Sequence, residues 1–546
     1  MRSLSFFSPR RRGSVFCPFV SFATVLLGSA FAFGVERAVA EQPTASSASS
    51  ESASSESASS ESARSESARS ELDEAIETFT NRVEMRTLKN GLRVLFYRRG
   101  IAPVFSGAVV VRVGGSDELP GHTGVAHMFE HMAFKGTSTI GTSDYKREKV
   151  LLAELESIAQ ASDGARKLSG EQKQRWEEVT KELKSLWQPD AFTKMYESRG
   201  AAGMNATTSA ELTSYFVNLP SASFEFWAAM EAARFGDTVL RQFYQERDVV
   251  LEERRMRTDD SGDGRLYEAL LQTAFTTHPY RNPVIGYPQD ISGITATETA
   301  EFRKRFYVPE NAVVAVVGDL ESEVVFSTIE RYFGRLRKGS VRRNLVPAEP
   351  AQSTPRSSVV NFPAEPQTYL AYHKPTYPHP DAIPIILANQ ILGGGPTAIL
   401  YRELVEKQRI LSSIEATEAP GSAYPNLWVL AFAPRSPHTN AEGRAALRDA
   451  LDSITLDDIA EQIEASRRAL IVGEMAKLRS NSSVALDLAS TELLFGSWRA
   501  SIDQLAELKR VTPEMVFDVI KRYLVSNNET AAILERASVS PLGADR

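Results

Sequence analysis

Two histidines one helical turn apart constrain this chain more than any other feature. They lie in GVAHMFEHMAFKGT, residues 124–137, as His127 and His131 with Glu130 between them. In a helix, positions i and i+4 share a face, so both imidazoles reach one metal ion from the same side. Glu130 sits beside that face, where a carboxylate takes a proton from water whose pKa an ion has lowered. The stretch therefore reads as a water-activating hydrolase site. Only seven histidines occur in the chain, at 122, 127, 131, 278, 373, 379 and 438, and two of them fall here. Val125, Ala126, Met128 and Phe129 half-bury such a helix, and a buried imidazole pair needs partners. The five residues alone fit an ordinary surface helix as well, so the rest of the chain has to decide.

The order His-x-x-Glu-His inverts the commoner His-Glu-x-x-His. Around and after it come VRVGGSDELPGHTGVAHMFEHMAFKGT, GMNATTSAELTSYF, ERDVVLEERRM, HPYRNPVIGYPQDISGIT and FYVPENAVVAVVGDL, in that order. Together these stretches resemble the insulinase/pitrilysin (M16) family of metallopeptidases. The resemblance is closest to the two-domain bacterial and mitochondrial-processing-peptidase-like branch and runs from about residue 80 to about residue 535. It implies an α+β fold of two homologous domains, each with helices on a mainly antiparallel sheet, and one Zn2+ per chain. The order of elements, strands followed by long helices, points to the same layering.

With 546 residues there is room for two to four domains, and 42% hydrophobic residues supply sizeable cores. A net charge of -7 of mixed signs gives no reason to expect nucleic acid as a partner. The single cysteine, Cys17, lies in a stretch with the marks of a secretory signal. Arg2 and Arg10 to Arg12 form its positive end, residues 15–34 are largely apolar, and Ala38-Val39-Ala40 offers a small-residue cleavage site. Removal of residues 1–40 leaves no thiol, so a metal is then held by histidine and carboxylate alone. The apolar run is long enough for an uncleaved membrane anchor to compete. A mitochondrial presequence fits less well, because the apolar core is continuous rather than amphipathic, and export to a periplasm-like compartment is expected. Residues 41–71 repeat Ser, Ala and Glu with almost no large apolar side chain and read as a disordered tether.

The catalytic domain is expected over 72–345. RVEMRTLKNGLRVLFYRR reads as two strands around Asn90-Gly91, VFSGAVVVRVGG as another, and Gly121 to Phe134 carries the site helix. Within 142–190, Leu151, Leu155 and Ile158 are spaced 4 and 3, and Trp176, Val179, Leu183 and Leu186 are spaced 3, 4 and 3. With Asp163-Gly164 and Ser169-Gly170 between the two runs, this is an antiparallel helical hairpin with one apolar seam. Members of the resembled family pass this point with fewer residues, so the hairpin reads as an insertion that binds a partner, shields the cleft or decorates the fold. Residues 200–216, GAAGMNATTSAELTSYF, fit an exposed strand that a peptide can extend by backbone pairing. The resemblance implies that Asn205 and Ala206 lie on the substrate-binding edge, with Thr207 and Phe129 as further substrate contacts. An ordinary edge strand is the plainer reading of the same residues.

Two histidines leave a catalytic zinc one protein ligand short. FYQERDVVLEERRM offers Glu246, Glu252 and Glu253 on one helix. Glu246 and Glu253, seven apart, share a face with Val249 and Val250, whereas Glu252 is turned about 100° from Glu253. The resembled family's Glu-Arg-x-Val-x-x-x-Glu pattern ends on its third metal ligand, which implies Glu253. It implies for Glu246 a catalytic helper near the metal that orients a ligand or the attacking water. Arg254, Arg255 and Arg257 receive no role. His278, followed by Pro279 and without a partner at helical spacing, reads as structural.

After Tyr332 the chain turns basic and then Pro-rich, so 346–358 reads as a linker and 359–546 as an inactive second domain without a His-x-x-Glu-His. The resemblance makes that domain the other wall of the substrate chamber. It also implies that self-sufficient members hold the substrate backbone with an arginine and a tyrosine at places that align here with Ile399 and Ser412; Tyr401 and Arg402 are out of register. A homologous partner subunit is then expected to supply both. The function expected is a zinc-dependent endopeptidase acting on peptides or unfolded segments, as the metal-bearing subunit of a heterodimer. The alternatives are a non-catalytic scaffold or assembly subunit of the same fold, and a peptide-binding module without turnover.

Overall fold

Asn90-Gly91 turns the chain between β1 (Val83–Thr87) and β2 (Arg93–Arg98), which pair antiparallel, with Gly91 at φ 94°. The buried Asn90 amide donates to the carbonyls of Phe333 and Leu336, which pins the turn from behind. The structure, a computed structural model, describes residue 74 and residues 76–537. The expected signal and tether lie outside the described residues, as do the first residues of the expected catalytic domain and residues 538–546.

β3 (Val104–Val111), β4 (Ala202–Thr208), β5 (Thr213–Pro220) and β6 (Ala312–Gly318) complete a sheet of order β1-β2-β6-β3-β5-β4. Residues 200–216, read as one strand, are therefore two, folded about a turn closed by Ser209 N–H donating to the Leu212 carbonyl. β4 is the edge. On the face that carries the larger core lie α1 (Val125–Met132), α2 (Tyr145–Gln160), α3 (Gly170–Leu186), α4 (Ala191–Glu197), α5 (Phe224–Asp237) and α6 (Phe243–Arg254). The expected hairpin is α2 and α3. Asp144 and Ser169 cap its helices, Leu151 and Leu155 meet Val179 and Leu183 in the core, and Arg147–Glu182 and Arg175–Glu154 ion pairs of 2.6 Å tie the outer surface. Its seam is continuous with the core beneath α1 and α6, so it is built into the domain rather than attached to it.

The chain continues through α7 (Gly262–Ala274), α8 (Pro288–Gly293), α9 (Ala296–Phe306) and α10 (Ser322–Phe333) into a second sheet. That sheet comprises β7 (Arg356–Phe362), β8 (Gln367–Lys374), β9 (Leu411–Ala419), β10 (Asn426–Pro434) and β11 (Glu529–Arg536). β7 begins inside the expected 346–358 linker, whose end is therefore a strand. The order β7-β11-β8-β10-β9 repeats β2-β6-β3-β5-β4 position for position, and in each sheet one pair is parallel, β7-β11 in the second and β2-β6 in the first. Helices α11 (Ala382–Gly393), α12 (Asn440–Ser453), α13 (Leu456–Lys477), α14 (Asn481–Phe495), α15 (Ala500–Leu508) and α16 (Pro513–Tyr523) belong to this half.

Each half lends one helix to the other. Leu266, Leu270 and Leu271 of α7 pack against Ala371, Val429 and Leu534 of the second sheet. In return, Val484, Leu488 and Ala489 of α14 cover Leu95, Val110 and Val317 of the first. Both faces of β6 are thus covered, which is why AVVAVVG can be apolar throughout. The two homologous domains are locked together through apolar surface that neither covers alone.

Candidate metal centre

The site helix α1 begins at Gly124, whose φ of 91° and contact with the Ile285 carbonyl leave no room for a side chain. Gly124 and Ala126 donate their N–H groups to the two oxygens of Glu118, which closes the open end of the helix. Burial pushes the Glu118 carboxyl up to about 8, against those two bonds. Val125, Ala126, Met128, Phe129 and Met132 are buried, leaving the histidines on the remaining face. Phe129, expected to touch substrate, is 0% exposed with its ring centroid 4.4 Å from that of Tyr307. It is a core residue, and the expectation is corrected.

His127 and His131 stand edge to face, their centroids 4.7 Å apart. Opposite them α6 brings Glu253, with Oε1 3.8 Å from His127 Nε2 and Oε2 3.3 Å from His131 Nε2. One ligand atom from each of the three residues lies within 4.8 Å of the others. Ligand atoms about 2.0 to 2.2 Å from a tetrahedral zinc are spaced on the order of 3.3 Å, and such catalytic sites use three protein ligands and one open position. The residues present fit zinc in number, chemistry and spacing. Glu252 is exposed and pairs with Arg255, as the 100° turn requires, but Val249 is 52% exposed and does not share the inner face with Val250.

Glu246 accepts from His131 Nδ1 at 3.0 Å and from Lys135 at 2.5 Å. Glu246, expected as a catalytic helper, thus touches the His131 ring nitrogen opposite the one that faces Glu253. Burial alone would lower the His131 imidazole, but its bonds to Glu246 and Glu253 outweigh burial and hold it up to about 9. His127, by contrast, is pushed down to about 3 by burial and by His131 beside it, and its Nδ1 has no partner. For Glu253 burial acts upward, yet the bond to His131 and the charges of His127, His131 and Arg257 bring it down to about 2. Arg257, left without a role from the sequence, holds Glu253 Oε1 at 2.8 Å.

Burial raises the Glu130 carboxyl, against a hydrogen bond that Thr208 Oγ1 donates to Oε2 at 2.5 Å. Thr208 escaped the sequence reading; the neighbouring Thr207 was the only hint. Asn205 is exposed on β4, Thr207 is half-buried and Ala206 is buried. Asn205 Oδ1 occupies the N–H of Ala206 at 2.9 Å. His278 is buried away from the centre, its Nδ1 accepting from Tyr280 N–H. In the second half Ile399 packs on the core, and Ser412 is exposed with its hydroxyl on the Ala433 carbonyl.

Two family models match the chain: one described as Insulinase (Peptidase family M16) over residues 94–159, and one as Peptidase M16 inactive domain over residues 293–469. The chain is 30% identical over 346 residues to the zinc protease PqqE of Helicobacter pylori, an overlap of 62% of this chain and 66% of that relative. It is 28% identical over 463 residues to an uncharacterized zinc protease of Mycobacterium bovis, an overlap of 82% and 92%. A solved protease structure from Helicobacter pylori is similar with a TM-score of 0.68 at 25% identity, covering 83% of this chain and 99% of that one.

Proposed function

The chain belongs to the insulinase (M16) peptidase family, and on that premise we propose that it is an exported zinc-dependent endopeptidase whose metal is held by His127, His131 and Glu253. The observation that carries this reading is the convergence of two imidazole Nε2 atoms and one carboxylate from helices far apart in the chain. When bound, zinc supplies Lewis-acid polarisation of the scissile carbonyl and of the attacking water. Glu130 accepts the proton of that water and delivers it to the leaving amine. Thr208 holds Glu130 by Oε2 and leaves Oε1 for the water. Glu246 keeps the His131 ring turned so that Nε2 faces Glu253.

Substrates on this reading are peptides or unfolded segments that lie extended along β4, whose last residue, Thr208, already touches Glu130. Ile399 and Ser412 cannot grip a peptide backbone as an arginine and a tyrosine would, which supports a homologous partner that supplies both. Export rests on the signal-like residues 1–40; among the described residues no helix is long and apolar enough to cross a membrane.

Purified protein is expected to carry stoichiometric zinc and, with its partner, to cleave unstructured peptides until a chelator is added. Glu130→Gln is expected to keep the zinc and lose cleavage. Protein purified without zinc would sink the peptidase reading in favour of a scaffold. Full-rate cleavage by the single chain would remove only the heterodimer.

A further inference from the structure

Arg241 sits one residue before the turn into α6, 2% exposed, with every N–H of its guanidinium engaged. Nε and Nη2 donate to Glu148 at 2.8 and 3.0 Å, Nη1 to the carbonyls of Lys135 and Ile140 at 2.6 and 2.8 Å, and Nη2 also to that of Thr137 at 2.9 Å. Five donors meet five acceptors, the complete capacity of the group. The three carbonyls belong to the loop that leaves α1 immediately after His131. Glu148 is fully buried on α2 and also accepts from Trp187 Nε1 at 2.9 Å, so both ends of the inserted hairpin meet at this carboxylate. The loop is shaped for the contact: at Gly136 and at Gly141, each at positive φ, a side chain would strike Arg241 Nη1.

Three residues further on, the hairpin takes hold of α6 again. Tyr244 donates its hydroxyl to Glu156 Oε2 on α2 at 2.6 Å, and its ring meets Trp176 of α3 edge to face at 5.0 Å. The helix that carries Glu253 is therefore held at its start by these two contacts with the hairpin, one of which also grips the chain leaving the histidine helix, and one turn on by Arg247, whose Nη1 donates to the Gly164 carbonyl between α2 and α3 at 2.8 Å. Among the described residues Glu148 is the sole carboxylate on the Arg241 guanidinium. Without it, a buried cation has only neutral acceptors.

We propose that Glu148 and Arg241 are positioning residues for the metal centre, and that the inserted hairpin sets the separation of His131 from Glu246 and Glu253. The inference rests on the metal-binding reading given above. A part that only decorated the surface would engage α6 through exposed side chains. This one does so through a buried, fully bonded ion pair whose other contacts are the loop following the ligands.

The test compares zinc affinity, by competition with a chromophoric chelator, in the full chain and its variants. Glu148→Gln places an amide against the guanidinium and is expected to weaken zinc binding by about 10-fold or more, the range for groups that orient metal ligands. Tyr244→Phe keeps the ring on Trp176 and removes one hydrogen bond, for an expected weakening of about 3-fold. It carries the test if Glu148→Gln does not fold. Arg147→Ala, which breaks only the exposed pair with Glu182, and Leu447→Ala, a destabilising change in the core of the second half, are expected to leave zinc affinity unchanged. Amide exchange in α6 of the zinc-free protein should quicken in Glu148→Gln while α12 stays as in the parent. Equal zinc affinity in the parent and in both Glu148→Gln and Tyr244→Phe overturns this inference and leaves the peptidase reading standing. A parent that binds no zinc overturns both.

Discussion

Thr208 donates its hydroxyl to Glu130 across 2.5 Å, joining the edge strand to the acid on the site helix. The bond favours the charged carboxylate, against the burial that raises its pKa. Thr208→Val keeps the shape and removes the donor, so Glu130 should hold its proton to higher pH. Because Glu130 must be unprotonated to accept from water, the acid limb of a kcat/KM profile is expected to move upward. Activity at neutral pH should fall by about 10-fold to 100-fold, the scale of one hydrogen bond to a charged group, with zinc content unchanged. A profile superposable on the parent's would show that the contact does not matter to catalysis.

Glu246 and Lys135 are predicted to act on the metal through His131. Glu246→Gln retains a side chain of the same size but a weaker acceptor for His131 Nδ1, and leaves Lys135 without its closest counter-charge. Zinc affinity is expected to fall by about 10-fold to 100-fold. At saturating zinc, kcat should recover more fully than in Glu130→Gln, because the proton acceptor is intact. Metal titration followed by turnover at excess zinc separates the two.

Adjacent glutamates provide a sharper contrast. Glu253 faces both imidazoles and Glu252 is exposed beside Arg255. Glu253→Ala should abolish stoichiometric zinc, whereas Glu252→Ala should leave zinc and activity at parental levels. Parallel metal analysis of the two proteins decides it. Equal zinc in both would remove Glu253 from the ligand set.

Helical spacing made the His127/His131 pair legible, and the resembled pattern singled out Glu253. Local periodicity also showed the α2–α3 hairpin, because its seam repeats at three and four residues. What spacing cannot carry is which distant surfaces meet. Phe129 was expected from the resemblance to touch substrate, yet its direction on the helix turns it into the core beside Tyr307. Thr208, Arg241 and Arg257 gain their roles from contacts with chain far away or one turn on. The exchange of α7 and α14 was likewise hidden, since an apolar helix face looks the same whichever sheet covers it.

The stretch read as a plain linker contains a titratable clamp. Glu349 accepts from the backbone N–H groups of Thr276, Thr277 and His278 at 2.8, 2.9 and 3.0 Å, and from the Thr276 hydroxyl at 2.7 Å. Burial acts to raise its carboxyl, but these bonds outweigh it and bring the pKa from 4.5 to about 2. Because the folded value lies below the unfolded one, the clamp contributes fully above about pH 4.5 and its contribution is lost as pH falls toward 2. Glu349→Gln should therefore cost about 2 kcal/mol at pH 7, as for a charged acceptor of several hydrogen bonds, and less with each step below pH 4.5. Urea unfolding of parent and variant across this range gives the difference directly. A gap that stays constant down to pH 3 would mean that the charge on Glu349 contributes nothing and that only its shape is used.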